Sequence, residues 1–221
     1  MQRLEPLVTG QIYHVFNKTI DKKRIFEYEQ FCQFFAEISK YYRSTKSIIS
    51  HSFLHSLDSE KVAAIMKNIE VKKYFRVSIL SYCLMPTHFH FLLKQKQDDG
   101  IARFISNIAN SFTHYYNLCH ERKGPLFLPT FKAVRVRGAA QLIHTSRYIH
   151  LNPCTSEIVT ISNLLSYKWS SYRAFITGES DYLVDIHDAF KLFNNNNLNY
   201  KEFVESNAEY QKVLKKIKKK K

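Results

Sequence analysis

The run Met85–Lys94 reads MPTHFHFLLK and sets His88 and His90 on either side of Phe89 in an otherwise apolar stretch. As a β-strand such a run has a period of two, so both imidazoles project from one face while Phe89 points into the core. Adjacent same-face nitrogens can hold a cation. They can also be ordinary hydrogen-bonded strand histidines at a core edge: ten histidines in 221 residues give about 0.4 such pairs by chance, so the motif needs context.

The context builds outward from this run. Tyr74 to Leu84 is a second apolar β-run, separated from His88 by Met85, Pro86 and Thr87, and a turn tolerates proline because no ladder bond needs its missing N–H. The two runs read as a hairpin with the histidines on its second arm. Upstream, Gln11 to Lys18 alternates as a strand, and the segment from Ile25 to Tyr42 carries apolar residues at helical spacing. Downstream, a helix is predicted from Ile101 to about Glu121, with Phe104, Ile108, Phe112, Tyr115 and Tyr116 on one side and Gly124 and Pro125 stopping it. Phe131 to Val136 reads as a short strand, and Ala139 to Leu151 as a helix closed by Asn152 and Pro153.

The order βαββαβ predicts an α+β fold of ferredoxin-like type, an antiparallel sheet with its helices on one face, followed by one more helix after the last strand. Ser44 to Lys73 is a looser connection, with a short helix expected in Glu60 to Lys72. Residues 1–178 form the main domain. Residues 179–221, which include four asparagines at 194–197, read as a helical extension with a lysine-rich tail.

With 45% hydrophobic residues the chain can bury a substantial core. Seven of its +14 net charges are lysines in the last ten residues, which leaves +7 on the rest. A basic chain with 14% aromatics suits a polyanion whose bases can stack, which points to single-stranded nucleic acid. Cys32, Cys83, Cys119 and Cys154 show no paired spacing, so they read as packing thiols in a reducing cytosol rather than as a zinc ribbon or a disulfide framework. A signal segment and a run of 18 apolar residues are both missing from the sequence, and the expectation is a soluble, cytoplasmic protein without a membrane partner.

Tyr148 and Asn152 stand four residues apart on the helix after the last strand, so a hydroxyl and an amide oxygen share one helical face. If that face lies over the His88 and His90 strand, two imidazoles and one oxygen make a three-ligand site with positions left for phosphate oxygens and water.

Together these residues resemble the single-tyrosine HUH transposases, and within them the REP-associated tyrosine transposase branch. The resemblance runs from Tyr13-His14-Val15-Phe16-Asn17 through MPTHFHFLLK and the segment from Phe104 to Val136, and on to SRYIHLNP, YKWSSY, FKLF and YKEFV. It implies that His88 and His90 are metal ligands, Tyr148 the nucleophile and Asn152 the third ligand, where some relatives carry Gln. It further implies cutting and rejoining of single-stranded or hairpin DNA through a 5′-phosphotyrosine, by a monomer or a homodimer. Phosphate coordination favours Mg²⁺ or Mn²⁺, and two imidazoles tilt the preference toward Mn²⁺.

Lys132, Arg135 and Arg137, before the tyrosine helix, and Arg147, beside the tyrosine, are candidate backbone contacts for DNA; the alternative for the strand residues is a solvated face. Tyr115 and Tyr116 are rival nucleophiles that their helical spacing explains as packing or stacking residues. His114, His144 and His150 read as surface or helix-end histidines, and Trp169 as a packing anchor. Two other functions fit the same residues: a non-catalytic nucleic-acid-binding module, and a metal-dependent phosphodiesterase that uses water.

Overall fold

A computed structural model describes residues 5–184, 186, 189 and 197–219. Four strands, β1 (Ile12–Lys18), β2 (Val77–Met85), β3 (His88–Gln95) and β4 (Lys132–Val136), form one sheet in the order β2-β3-β1-β4. Every neighbouring pair is antiparallel. With α1 (Glu29–Tyr42) between β1 and β2, and α3 (Gly100–Cys119) between β3 and β4, this is the expected ferredoxin-like arrangement. The loose connection holds α2 (Ser59–Ile69) and two short 3₁₀ turns.

Strand alternation decides what each sheet face meets. Phe89 and Phe91 of β3 point toward α1 and α3, where Phe35, Phe104 and Phe112 join them in one aromatic core. All five are fully buried. Burying each ring contributes on the order of 1.5–3 kcal/mol, and truncating one to Ala costs about 3–5 kcal/mol.

The other face carries His14, Phe16, His88 and His90, and it is covered by α4 (Gly138–Thr155), which packs on β2, β3 and β4. Helices therefore lie on both sides of the sheet, the two of the βαββαβ frame on one face and the tyrosine helix over the histidine strand on the other, where the sequence reading sets it. The chain reaches the second face through a sharp exit from β4: Gly138 opens α4 at φ +76°, a conformation in which an L side chain is strained.

Helix α4 runs to Thr155 and contains Pro153, so the expectation that Asn152 and Pro153 close it is corrected. Proline removes the donor that would meet the Ile149 carbonyl. The Asn152 side-chain Nδ2 supplies a substitute, donating to the carbonyls of Tyr148 at 2.8 Å and Ile149 at 3.5 Å.

Beyond α5 (Tyr172–Thr177), helices α6 (Asn197–Glu205) and α7 (Ala208–Lys219) pack against α4, and α6 also against α5. The FKLF segment, most of the asparagine run and the last two lysines lie outside the described residues.

Candidate active site

Three elements converge on one patch. Register places Phe16 of β1 opposite His90 and Lys18 opposite His88. His14, opposite Leu92, reaches diagonally to His90, and its Nε2 lies 2.9 Å from His90 Nδ1. The His88 and His90 rings stand edge to face with centroids 5.0 Å apart, so the two do share one face of the strand. His88 Nδ1 lies 3.0 Å from the Thr87 hydroxyl. Both rings use Nδ1 in these contacts, and Nε2 is the nitrogen that would meet a cation.

From α4, Tyr148 presents its ring to His14 at 5.6 Å and to His90 at 5.9 Å, edge-on to both. Although 40% of its surface is exposed, burial among these rings raises the phenol above its ordinary value. A phenolate is therefore disfavoured until something stabilises it. Burial lowers His14 to about 4, so this imidazole is neutral near pH 7.

Asn152 follows Tyr148 on α4 and is 1% exposed. Because its Nδ2 is committed to the helix backbone, its other end, Oδ1, is the atom that can serve as an acceptor or ligand. Among the described residues no three His, Cys, Asp or Glu side chains are grouped to hold a metal. Two imidazole nitrogens and a neutral amide oxygen are donors of a type that suits a divalent cation sharing its coordination with phosphate oxygens.

Part of the chain, including the histidine strand and most of the tyrosine helix, matches a known family. Residues 47–152, a span that holds His88, His90, Tyr148 and Asn152, match the IS200-like transposases. Residues 47–152 belong to that family. A solved relative of the same fold is a REP-associated tyrosine transposase bound to a REP hairpin. It is 14% identical, with a TM-score of 0.53 over 84% of this chain and 93% of that one. No curated protein sequence matches.

The basic residues distribute differently from the sequence reading. Lys132 lies opposite Phe16 on the histidine face, but Arg135 lies opposite Tyr13 and shares the other face, the one toward α1 and α3. Arg137 lies beyond the strand, in an exposed pair with Glu5 at 2.9 Å. Arg147 turns away from the histidines: it stacks on Phe203 of α6 at 4.1 Å, and its guanidinium meets the Phe203 carbonyl and His144. Lys18, beside His88, was missed, although its spacing of two and four from Phe16 and His14 is the signal that finds it.

His14 was likewise quoted without a role, since a lone strand histidine has no chemistry until register supplies a partner. Tyr116 is buried against His120, and Tyr115 packs on Phe34, both in the helical layer behind the sheet. His150 is fully buried, not a surface residue, because it bridges Ser171 and Tyr200 at 2.8 Å each.

Proposed function

We propose that this chain is a transposase of the REP-associated type, in which residues 1–178 cut and rejoin single-stranded or hairpin DNA and, within the extension 179–221, helices α6 and α7 brace the tyrosine helix. The observation that carries this reading is the seating of Tyr148 from α4 against the His14 and His90 rings of the sheet. A nucleophile-bearing helix and a two-imidazole donor set meet there within one chain, which supports a site that works without a second copy.

In the proposed reaction the Tyr148 oxygen attacks a DNA phosphorus, bonding to the 5′-phosphate of the downstream strand as the bond to the upstream 3′-oxygen breaks, and that oxygen takes up a proton. The phenolic proton leaves to solvent on the exposed side of the residue. Reversal by a 3′-hydroxyl rejoins the strand without ATP, because the ester bond is exchanged and not hydrolysed. His88, His90 and Asn152 would hold Mn²⁺ or Mg²⁺, which supplies charge neutralisation on the phosphate and alignment for in-line attack.

Lys18 and Lys132 flank the patch on the same sheet face and are suited to the flanking phosphates. The hairpin reading is further supported by the solved relative, which is bound to a REP hairpin.

The test is a denaturing gel of labelled single-stranded and hairpin oligonucleotides incubated with protein and Mn²⁺. A protein-linked band whose nucleotide maps to Tyr148 through a 5′-phosphate is expected. Free cleaved product without a linked band would favour a water-using phosphodiesterase, and retention without cleavage a binding module.

A further inference from the structure

We infer that His14 is a positioning residue for the cation site: it accepts a hydrogen bond from His90 and thereby holds His90 in the tautomer that can bind metal. The inference rests on the proposed role of His90 as a ligand, and it deepens that role by naming what orients the ring.

The geometry makes the assignment. His14 Nε2 and His90 Nδ1 are 2.9 Å apart, and the rings lie at 24° to one another. One proton sits between them, so there are two arrangements. If His14 donates, a neutral His90 carries its own proton on Nε2, and that nitrogen has no lone pair for a cation. If His90 donates, its Nε2 lone pair is available beside His88. Only the second arrangement is compatible with a metal site, and it requires His14 to carry its proton on Nδ1 and to accept at Nε2.

The same contact excludes His14 as a ligand through Nε2, because that atom already faces His90. Thr87 stands in the corresponding place for His88, its hydroxyl 3.0 Å from Nδ1. A ligating histidine commonly donates its second N–H to a carboxylate, and the acceptor here is a neutral ring. For a site that receives a phosphodiester this matters: an aspartate under His90 would add a negative charge facing the incoming phosphate, and an imidazole does not. His14 also carries the edge contact from Tyr148, so one side chain supports both the ligand and the nucleophile.

The experiment measures Mn²⁺ affinity without DNA, from the electron paramagnetic resonance signal of free Mn²⁺, for the full chain and for His90→Ala, His14→Phe and His14→Gln. Phe keeps the ring packing and deletes the acceptor, whereas the Gln Oε1 approximates the position of Nε2. His90→Ala should abolish binding, His14→Phe should weaken it about 10- to 100-fold, and His14→Gln should restore most of the loss. In parallel, long-range ¹H–¹⁵N spectra of the unsubstituted protein should show the His90 proton on Nδ1, a readout that needs no variant to fold. Unchanged affinity in His14→Phe alongside loss in His90→Ala, or a His90 proton on Nε2, would overturn the positioning role alone. Indifference of Mn²⁺ binding to His90→Ala would remove the metal reading and this inference with it.

Discussion

The side chain of Asn152 donates to the backbone carbonyl of Tyr148 at 2.8 Å, so the proposed third ligand and the proposed nucleophile are tied through the helix that carries both. The same amide nitrogen reaches the Ile149 carbonyl, which Pro153 leaves without a backbone donor, and α4 continues past the proline. Asn152→Ala should therefore have two effects. Stability should fall by about 1–3 kcal/mol in urea titration, because buried carbonyls lose a donor, and Mn²⁺ affinity should fall as well. An Ala variant with full stability would show that the proline is accommodated without the amide.

Tyr148→Phe deletes one oxygen and keeps the ring between His14 and His90. Filter binding should give an affinity for hairpin DNA close to that of the unsubstituted protein, while the covalent band disappears. A surviving adduct would move the nucleophile to another residue.

Lys18→Ala and Lys132→Ala should weaken DNA binding on all sequences alike and lower the slope of log affinity against log salt by about one each. Arg147→Ala should leave that slope unchanged and lower the melting temperature, since its guanidinium is engaged with Phe203 and His144. The opposite pattern would place the DNA over the α6 side of α4.

His150 links α4 to Ser171, whose backbone and hydroxyl bond Tyr82 of β2, and to Tyr200 of α6. Burial lowers it from 6.5 to about 3. The unfolded chain binds a proton here below pH 6.5 and the folded one does not until about 3, so this stability is complete above 6.5 and is lost as the pH falls through that window. Between pH 7 and pH 5, His150→Gln should lose about 2 kcal/mol less stability than the unsubstituted protein. Equal losses in urea titrations at the two pH values would show that His150 takes up its proton in the fold.

The histidine hairpin was legible because period-two alternation around Phe89 and a proline turn are local signals, and β3, His88–Gln95, is the hairpin's second arm. Helix α4 was legible only in its first part. Its end depends on an amide replacing a proline's missing donor, which no propensity encodes. Its burial is also spread around its circumference, with the sheet on one side and α6 and α7 on the other, so the apolar stripe that marks a one-sided helix is weak.

The order of strands and helices, the shared face of His88 and His90, and the shared face of Tyr148 and Asn152 were determined by the sequence alone, because each follows from the repeat of a single element. Tertiary structure alone decided that α4 crosses to the histidine face through Gly138. It likewise decided that strand register brings His14 to His90 and Lys18 to His88, that Arg147 belongs to α6, and that His150 is an internal bridge. The physical reason is that backbone periodicity fixes where a side chain points relative to its own element, whereas its partner is fixed by hydrogen-bond registers and packing between residues tens of positions apart.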